Sequence, residues 1–212
     1  MPGVILMNPN SNAATTDAMV AIASQILPDV TGWTAPGGPG MITGPDALDA
    51  AARLIGQAEL PPADGVIVSA FGDPGRAELA RRLVCPVVGI GEAAAQEAAA
   101  FGAFAVATTT PGLQSRIDAL MTERAGAARY VGCVLTAGDP LDLMRDAAAL
   151  DAALMDATLR AAQAGAQAVI VGGGPLGEAA DRLSPHAPVP LIAPIRAAAR
   201  MMAARLGQSG KT

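Results

Sequence analysis

The sequence predicts an α/β protein of two pseudo-symmetric lobes, each a four-stranded parallel sheet flanked by helices, with a cleft between them. Three observations predict it. Short runs rich in Val and Ile alternate with alanine-rich segments of helical spacing, the pattern of βαβ units. The units fall into two groups of four with similar punctuation, so the halves read as a structural duplication. A chain of 212 residues, 51% hydrophobic and 16% charged, suffices for one well-buried α/β unit or two small lobes, and leaves no room for a large further domain.

In chain order, the expected strands run over 4–7, 30–34, 65–69 and 86–90 in the first half, then 104–107, 130–135, 168–171 and 190–192 in the second. The intervening helices are expected to begin near Ala13, Asp46, Pro74, Glu92, Pro111, Asp142, Pro175 and Ile195. The segment from Asp142 to Ala164 reads as one long helix, rich in Ala, Leu and Met, suited to an outer layer or an oligomer contact. Third strands in both halves close on small residues followed by a proline suited to a helix's first turn: Ser69-Ala70-Phe71-Gly72-Asp73-Pro74-Gly75 and Gly172-Gly173-Gly174-Pro175-Leu176-Gly177-Glu178. The expected division is 1–95 for the N-terminal lobe, with a helix over 195–207 packing back on it, and 96–194 for the C-terminal lobe.

Composition excludes several functions. The net charge is −5 without any Lys/Arg cluster, and the single lysine, Lys211, sits in a polar tail expected to fray, which argues against nucleic acid or an anionic membrane as partner. Cys85 and Cys133 each lie in an apolar run and read as inert buried thiols; with only His186 beside them they build neither a disulfide framework nor a metal site. His186, in a Ser-Pro-His-Ala-Pro loop, reads as solvent-facing. The opening MPGVILMNPNS lacks a basic region and reads as a first strand rather than a signal peptide, and no apolar run is long enough to span a bilayer. A soluble cytoplasmic protein is expected.

In open parallel sheets, ligands bind beyond the carboxyl ends of the strands, so four strand-end loops carry the candidate site. After the first strand, Asn10 and Ser11 either cap the next helix or offer amide and hydroxyl donors to a small anion. After the third, Ser69 and the amides of Phe71 and Gly72 are candidate donors, while Asp73 before Pro74 reads as a helix cap. After the fifth, Thr108 and Thr109 belong to a hydroxyl run suited to an oxyanion. After the seventh, Gly173 and Gly174 allow close backbone approach to a ligand; the spacing fits neither a P-loop nor a dinucleotide fingerprint. Glu178, in the first turn of the following helix, reads as structural.

These motifs carry a family resemblance. Leu6-Met7-Asn8-Pro9-Asn10-Ser11, Ala70-Phe71-Gly72-Asp73-Pro74-Gly75, Pro86-Val87-Val88-Gly89-Ile90-Gly91-Glu92-Ala93 and the threonine run from Thr108 resemble segments of the aspartate/glutamate/hydantoin racemase superfamily, nearest to hydantoin and allantoin racemases. The resemblance covers nearly the whole chain. It implies a two-lobed fold, no organic cofactor or metal, a small anionic or ureide ligand, and a homo-oligomer. It also implies that a thiol from each lobe flanks the substrate's α-carbon, one removing a proton and the other returning it. Here those positions align with Ala70 and Gly173, neither of which can exchange a proton. Three readings stay open: isomerase-type proton transfer through other groups such as Asp73, Glu178 or a water; a lyase or decarboxylase on the same scaffold; and a non-catalytic binding homologue or inactivated variant.

Overall fold

The structure is a computed structural model that describes residues 3–209, so Lys211 lies outside the described residues. The chain runs β1 (Val4–Asn8), α1 (Ala13–Ala23), β2 (Val30–Thr34), α2 (Pro45–Gln57), β3 (Gly65–Val68), α3 (Arg76–Arg82), β4 (Val87–Gly89), α4 (Ile90–Ala99), β5 (Ala103–Thr108), α5 (Gln114–Arg124), β6 (Arg129–Leu135), α6 (Pro140–Leu143), α7 (Ala147–Gln163), β7 (Ala168–Val171), α8 (Gly177–Leu183), β8 (Leu191–Ile192) and α9 (Pro194–Ser209). The strands form two parallel sheets of the same topology, β2-β1-β3-β4 and β6-β5-β7-β8. The predicted fold class is the observed one.

Period-two alternation sets the layers, because successive strand side chains point to opposite faces. Val4, Leu6 and Ile67 of the first sheet and Phe104, Val106 and Ile170 of the second turn inward onto one shared core. Between them lie the alanine-rich face of α4 with Met19 and Ile22 of α1, Ile117 and Met121 of α5, and Ile195 and Met202 of α9. Small residues let these helices approach both sheets closely: a side chain at Gly65 would meet the Met202 sulfur at 2.4 Å. On the outer faces, Ile5, Met7, Val66 and Val68 pack with Ile55 and Leu79, while Ala105, Ala107, Val169 and Val171 pack with Leu150, Leu154 and Leu183. The helix over 194–209 packs on α1, α4, β3 and β4.

Two expected helices are corrected. The segment from Asp142 to Ala164 is two helices, because Asp146 is extended (φ −128°, ψ 102°) and its carboxylate caps the amides of Ala148 and Ala149; Asp139 likewise caps α6 through Leu141 and Asp142. The third helix starts at Arg76 and not at Pro74, since Asp73 (φ 50°) and Gly75 (φ 71°) both take left-handed conformations that end in a tight turn.

Candidate functional site

The C-terminal ends of both sheets open on one cleft. Asn10 lines it from the β1 loop, Ser69, Ala70 and Phe71 from β3, Thr109 and Thr110 from β5, and Gly172, Gly173 and Gly174 from β7. Ala70 and Gly173 stand two residues past the ends of β3 and β7, which hold the same place in their sheets. The backbone repeats as well: the amide of Ser69 donates to Met7 and the amide of Gly172 to Ala107, at 2.9 and 2.8 Å. The cleft is therefore flanked from its two sides by equivalent positions carrying a methyl group and a hydrogen.

Two buried hydroxyls pin the strand ends rather than facing the cavity. Ser69 Oγ donates to the Met7 carbonyl at 2.7 Å, and Thr108 Oγ1 donates to the Gly172 carbonyl at 2.7 Å. Thr108 does not line the cleft, whereas Thr109 does and its hydroxyl has no partner among the described residues. Asn10 is oriented by its neighbours. Its Oδ1 accepts from Asn8 Nδ2 at 2.9 Å and from the Asn12 amide at 3.0 Å, which leaves Nδ2 as a donor. Asn8 is buried and also donates to Thr16 Oγ1 and the Asn12 carbonyl, so the orientation is set from below. The backbone amides of Phe71 and Gly173 carry no internal bond among the described residues.

The other sequence candidates lie elsewhere. Ser11 is exposed, its hydroxyl donating to the Gly38 carbonyl at 3.1 Å, and Gly72 (φ 111°) belongs to the turn behind Phe71. Glu178 is exposed beside Arg182 on α8. Asp73 is a cap, but of a different helix from the one expected: its carboxylate oxygens accept from the amides of Gly91 and Glu92, both at 2.7 Å, at the start of α4. The turn at Asp73 aims the side chain across to β4 instead of along α3, and Gly89 is required there because a side chain would sit 2.2 Å from the Asp73 carboxyl carbon. Cys85 packs beside Trp33 and Leu83 on the outer face of the first sheet, and Cys133 lies within β6; burial pushes both thiols up, Cys133 to about 12, and neither lines the cleft. His186 is exposed.

Burial pushes the Asp73 carboxyl up to about 6, against the Gly91 and Glu92 amides, which pull it down. The native state therefore holds this proton more tightly than the unfolded chain. Its stabilising contribution is full below the ordinary value of 3.8 and lost as pH rises through about 6. Denaturant titrations of wild type and Asp73→Asn at pH 4 and 7 should diverge, with wild type gaining on the variant by about 2 kcal/mol toward pH 4. Parallel curves would contradict this.

Sequence reasoning missed the apolar part of the lining. Met41 and Ile42 come from the loop after β2, Met144 from the segment after α6, Leu113 from the turn just before α5 and Ile117 from the first turn of α5. The cavity is about 70 Å³, room for several waters or the core of a small molecule. None of its lining residues has an ionisable side chain. Among the described residues no three His, Cys, Asp or Glu side chains gather as a metal site. No helix among those residues is long and apolar enough to cross a membrane.

Two like α/β lobes turn their strand ends to a shared, donor-lined cavity, a site built from loops. Residues 4–202 match the Asp/Glu/Hydantoin racemase family, and the chain belongs to it. A hydantoin racemase of Rhizobium meliloti is 30% identical over 214 residues, covering 95% of this chain and 88% of that one. The crystal structure of allantoin racemase from Pseudomonas fluorescens superposes with a TM-score of 0.85 at 26% identity, over 98% of this chain and 92% of the other. An arylmalonate decarboxylase shares the fold, with a TM-score of 0.60 at 19% identity over 97% and 93% of the two chains.

Proposed function

We propose that the chain binds a small cyclic ureide or related carboxylate in the interlobe cleft and holds it without moving a proton through a side chain. One observation carries this reading: the lining offers hydrogen-bond donors and has no ionisable side chain. Asn10 Nδ2, the Thr109 hydroxyl and the amides of Phe71 and Gly173 suit carbonyl or carboxylate oxygens, and Ile42, Leu113 and Ile117 suit an apolar ring edge. The positions that the resemblance gives to two thiols hold Ala70 and Gly173, so general acid/base catalysis has no agent on either side. Asp73 does not line the cleft; its carboxylate oxygens face the Gly91 and Glu92 amides at the start of α4.

Calorimetry with hydantoin and allantoin tests the reading. At least one is expected to bind wild type, with about tenfold weaker binding to Asn10→Ala from the loss of one donor. Failure of both to bind, or an Asn10→Ala variant with unchanged affinity, would sink it.

A second reading, decarboxylation, is favoured by the apolar residues in the same lining. Loss of carbon dioxide needs no base: the C–C bond breaks, its electron pair moves onto the neighbouring carbonyl oxygen beneath the donors, and water protonates the carbanion. An apolar wall beside the departing carboxylate destabilises the ground state. Carbon dioxide release from an arylmalonate above the buffer rate would favour this reading over simple binding.

A further inference from the structure

Beside the cleft lies a wider vestibule of about 490 Å³. The two spaces adjoin, since Asn10, Met41, Met144 and Pro175 line both. Their chemistry differs. The inner space has no ionisable side chain, and the vestibule has one, Arg145. We infer that the vestibule is a second subsite, which takes a carboxylate on the side arm of a ligand whose ring sits in the inner cleft, and that Arg145 reads that charge. The inference rests on the binding reading above and adds the substrate class, a ureide ring bearing an acidic arm.

Several observations support it. Arg145 follows α6 and lines the vestibule with its side chain 77% exposed. Its Nη1 donates to Asp142 at 3.1 Å, and the remaining guanidinium N–H groups have no partner among the described residues, leaving an edge that suits a carboxylate in two-point contact. The Asp142 side chain is 75% exposed and does not line the vestibule; an exposed pair of this kind holds weakly and yields readily to a better-placed anion. The other acids near Arg145 are engaged, Asp139 with the amides of Leu141 and Asp142 and Asp146 with those of Ala148 and Ala149. In the same lining, Asn12 spends its Oδ1 on the Thr15 amide and keeps Nδ2 as a donor, and Thr15 adds a hydroxyl. A vestibule with one cation and neutral donors, in a chain of net charge −5, selects for an anion at this place.

The test is calorimetry on the whole protein with three probes: unsubstituted hydantoin, hydantoin carrying a 5-(2-carboxyethyl) arm, and the isosteric carboxamide. Wild type is expected to bind the acid up to about fivefold tighter than the amide at low salt. Arg145→Gln should equalise acid and amide while leaving unsubstituted hydantoin unchanged. Equal binding of acid and amide by wild type, with hydantoin still bound, overturns the subsite alone, as does an acid preference that survives Arg145→Gln. No binding of any probe overturns this inference, and with allantoin also unbound it overturns the cleft reading as well.

Discussion

Cysteine introduced together at positions 70 and 173 is expected to convert a protein that leaves the α-proton of a bound hydantoin in place into one that exchanges and inverts it. Both residues line the cleft from equivalent strand ends, so one thiol would stand on each side of the ligand. The backbone accepts the change. Ala70 already carries a Cβ, and Gly173 (φ 163°) is in extended backbone that any residue adopts. A Cβ at 173 would lie 2.9 Å from Leu176 Cδ1 and 3.0 Å from its Cγ, so the buried Leu176 side chain must shift by a few tenths of an ångström to admit it. General acid/base groups in position contribute on the order of 10²–10⁴ in rate, so exchange should rise by at least about a hundredfold over wild type. Ala70→Cys alone has one thiol, which takes and returns the proton on one face; it should exchange deuterium while configuration is retained. Proton NMR in deuterated water, with chiral chromatography of an enantiopure substituted hydantoin, reads both effects. A folded double variant that binds ligand and exchanges no faster than wild type would contradict the placement of these residues.

The second large effect is expected at Gly174, where the lobes touch beneath the cleft. A Cβ there would lie 2.6 Å from the Met19 sulfur and 2.9 Å from the Ser69 carbonyl oxygen. The sulfur belongs to a flexible side chain, but the carbonyl is backbone at the end of β3 and cannot turn aside. Gly174→Val must therefore part the lobes at the point that shapes the cavity. We expect a loss of about 3 kcal/mol in stability, the upper range for overpacking a filled site, together with at least about tenfold weaker hydantoin binding. Gly37→Ala, with nothing within 4 Å of its new carbon, is the control and should fall within about 0.5 kcal/mol of wild type. Denaturant titration separates the two; equal stability of the pair would refute the close approach.

The sheets were legible because their signals are local. Runs such as Val4 to Met7 and Ala168 to Val171 are short, apolar and bounded by polar or glycine punctuation, and each is a strand. Apolar spacing misled over 142–164, where it continued through Asp146; the cap was readable in principle, and one carboxylate accepting two amides outweighs the continuity of the pattern. Part of the site was legible for a topological reason, since loops after β1, β3, β5 and β7 must meet at strand ends. The wall formed by Met41, Ile42 and Met144 comes from segments after the edge strands β2 and β6, and the Gly/Pro-rich stretch over 36–40 was its available sign. The partners of Asp73 lie 18 and 19 residues along the chain, on α4, and no local pattern announces them. Leu113 and Ile117 follow ordinary helical spacing that serves core and cavity alike.

The central claim is that this cavity grips its ligand with neutral donors and owns no group able to take the ligand's α-proton. The direct measurement is the exchange rate of that proton in deuterated water for the unmodified protein, at a hydantoin concentration that calorimetry shows to be saturating. The rate should equal that of buffer alone while the complex is fully formed; exchange above buffer that Asn10→Ala weakens would show a working base inside the cleft and contradict the account.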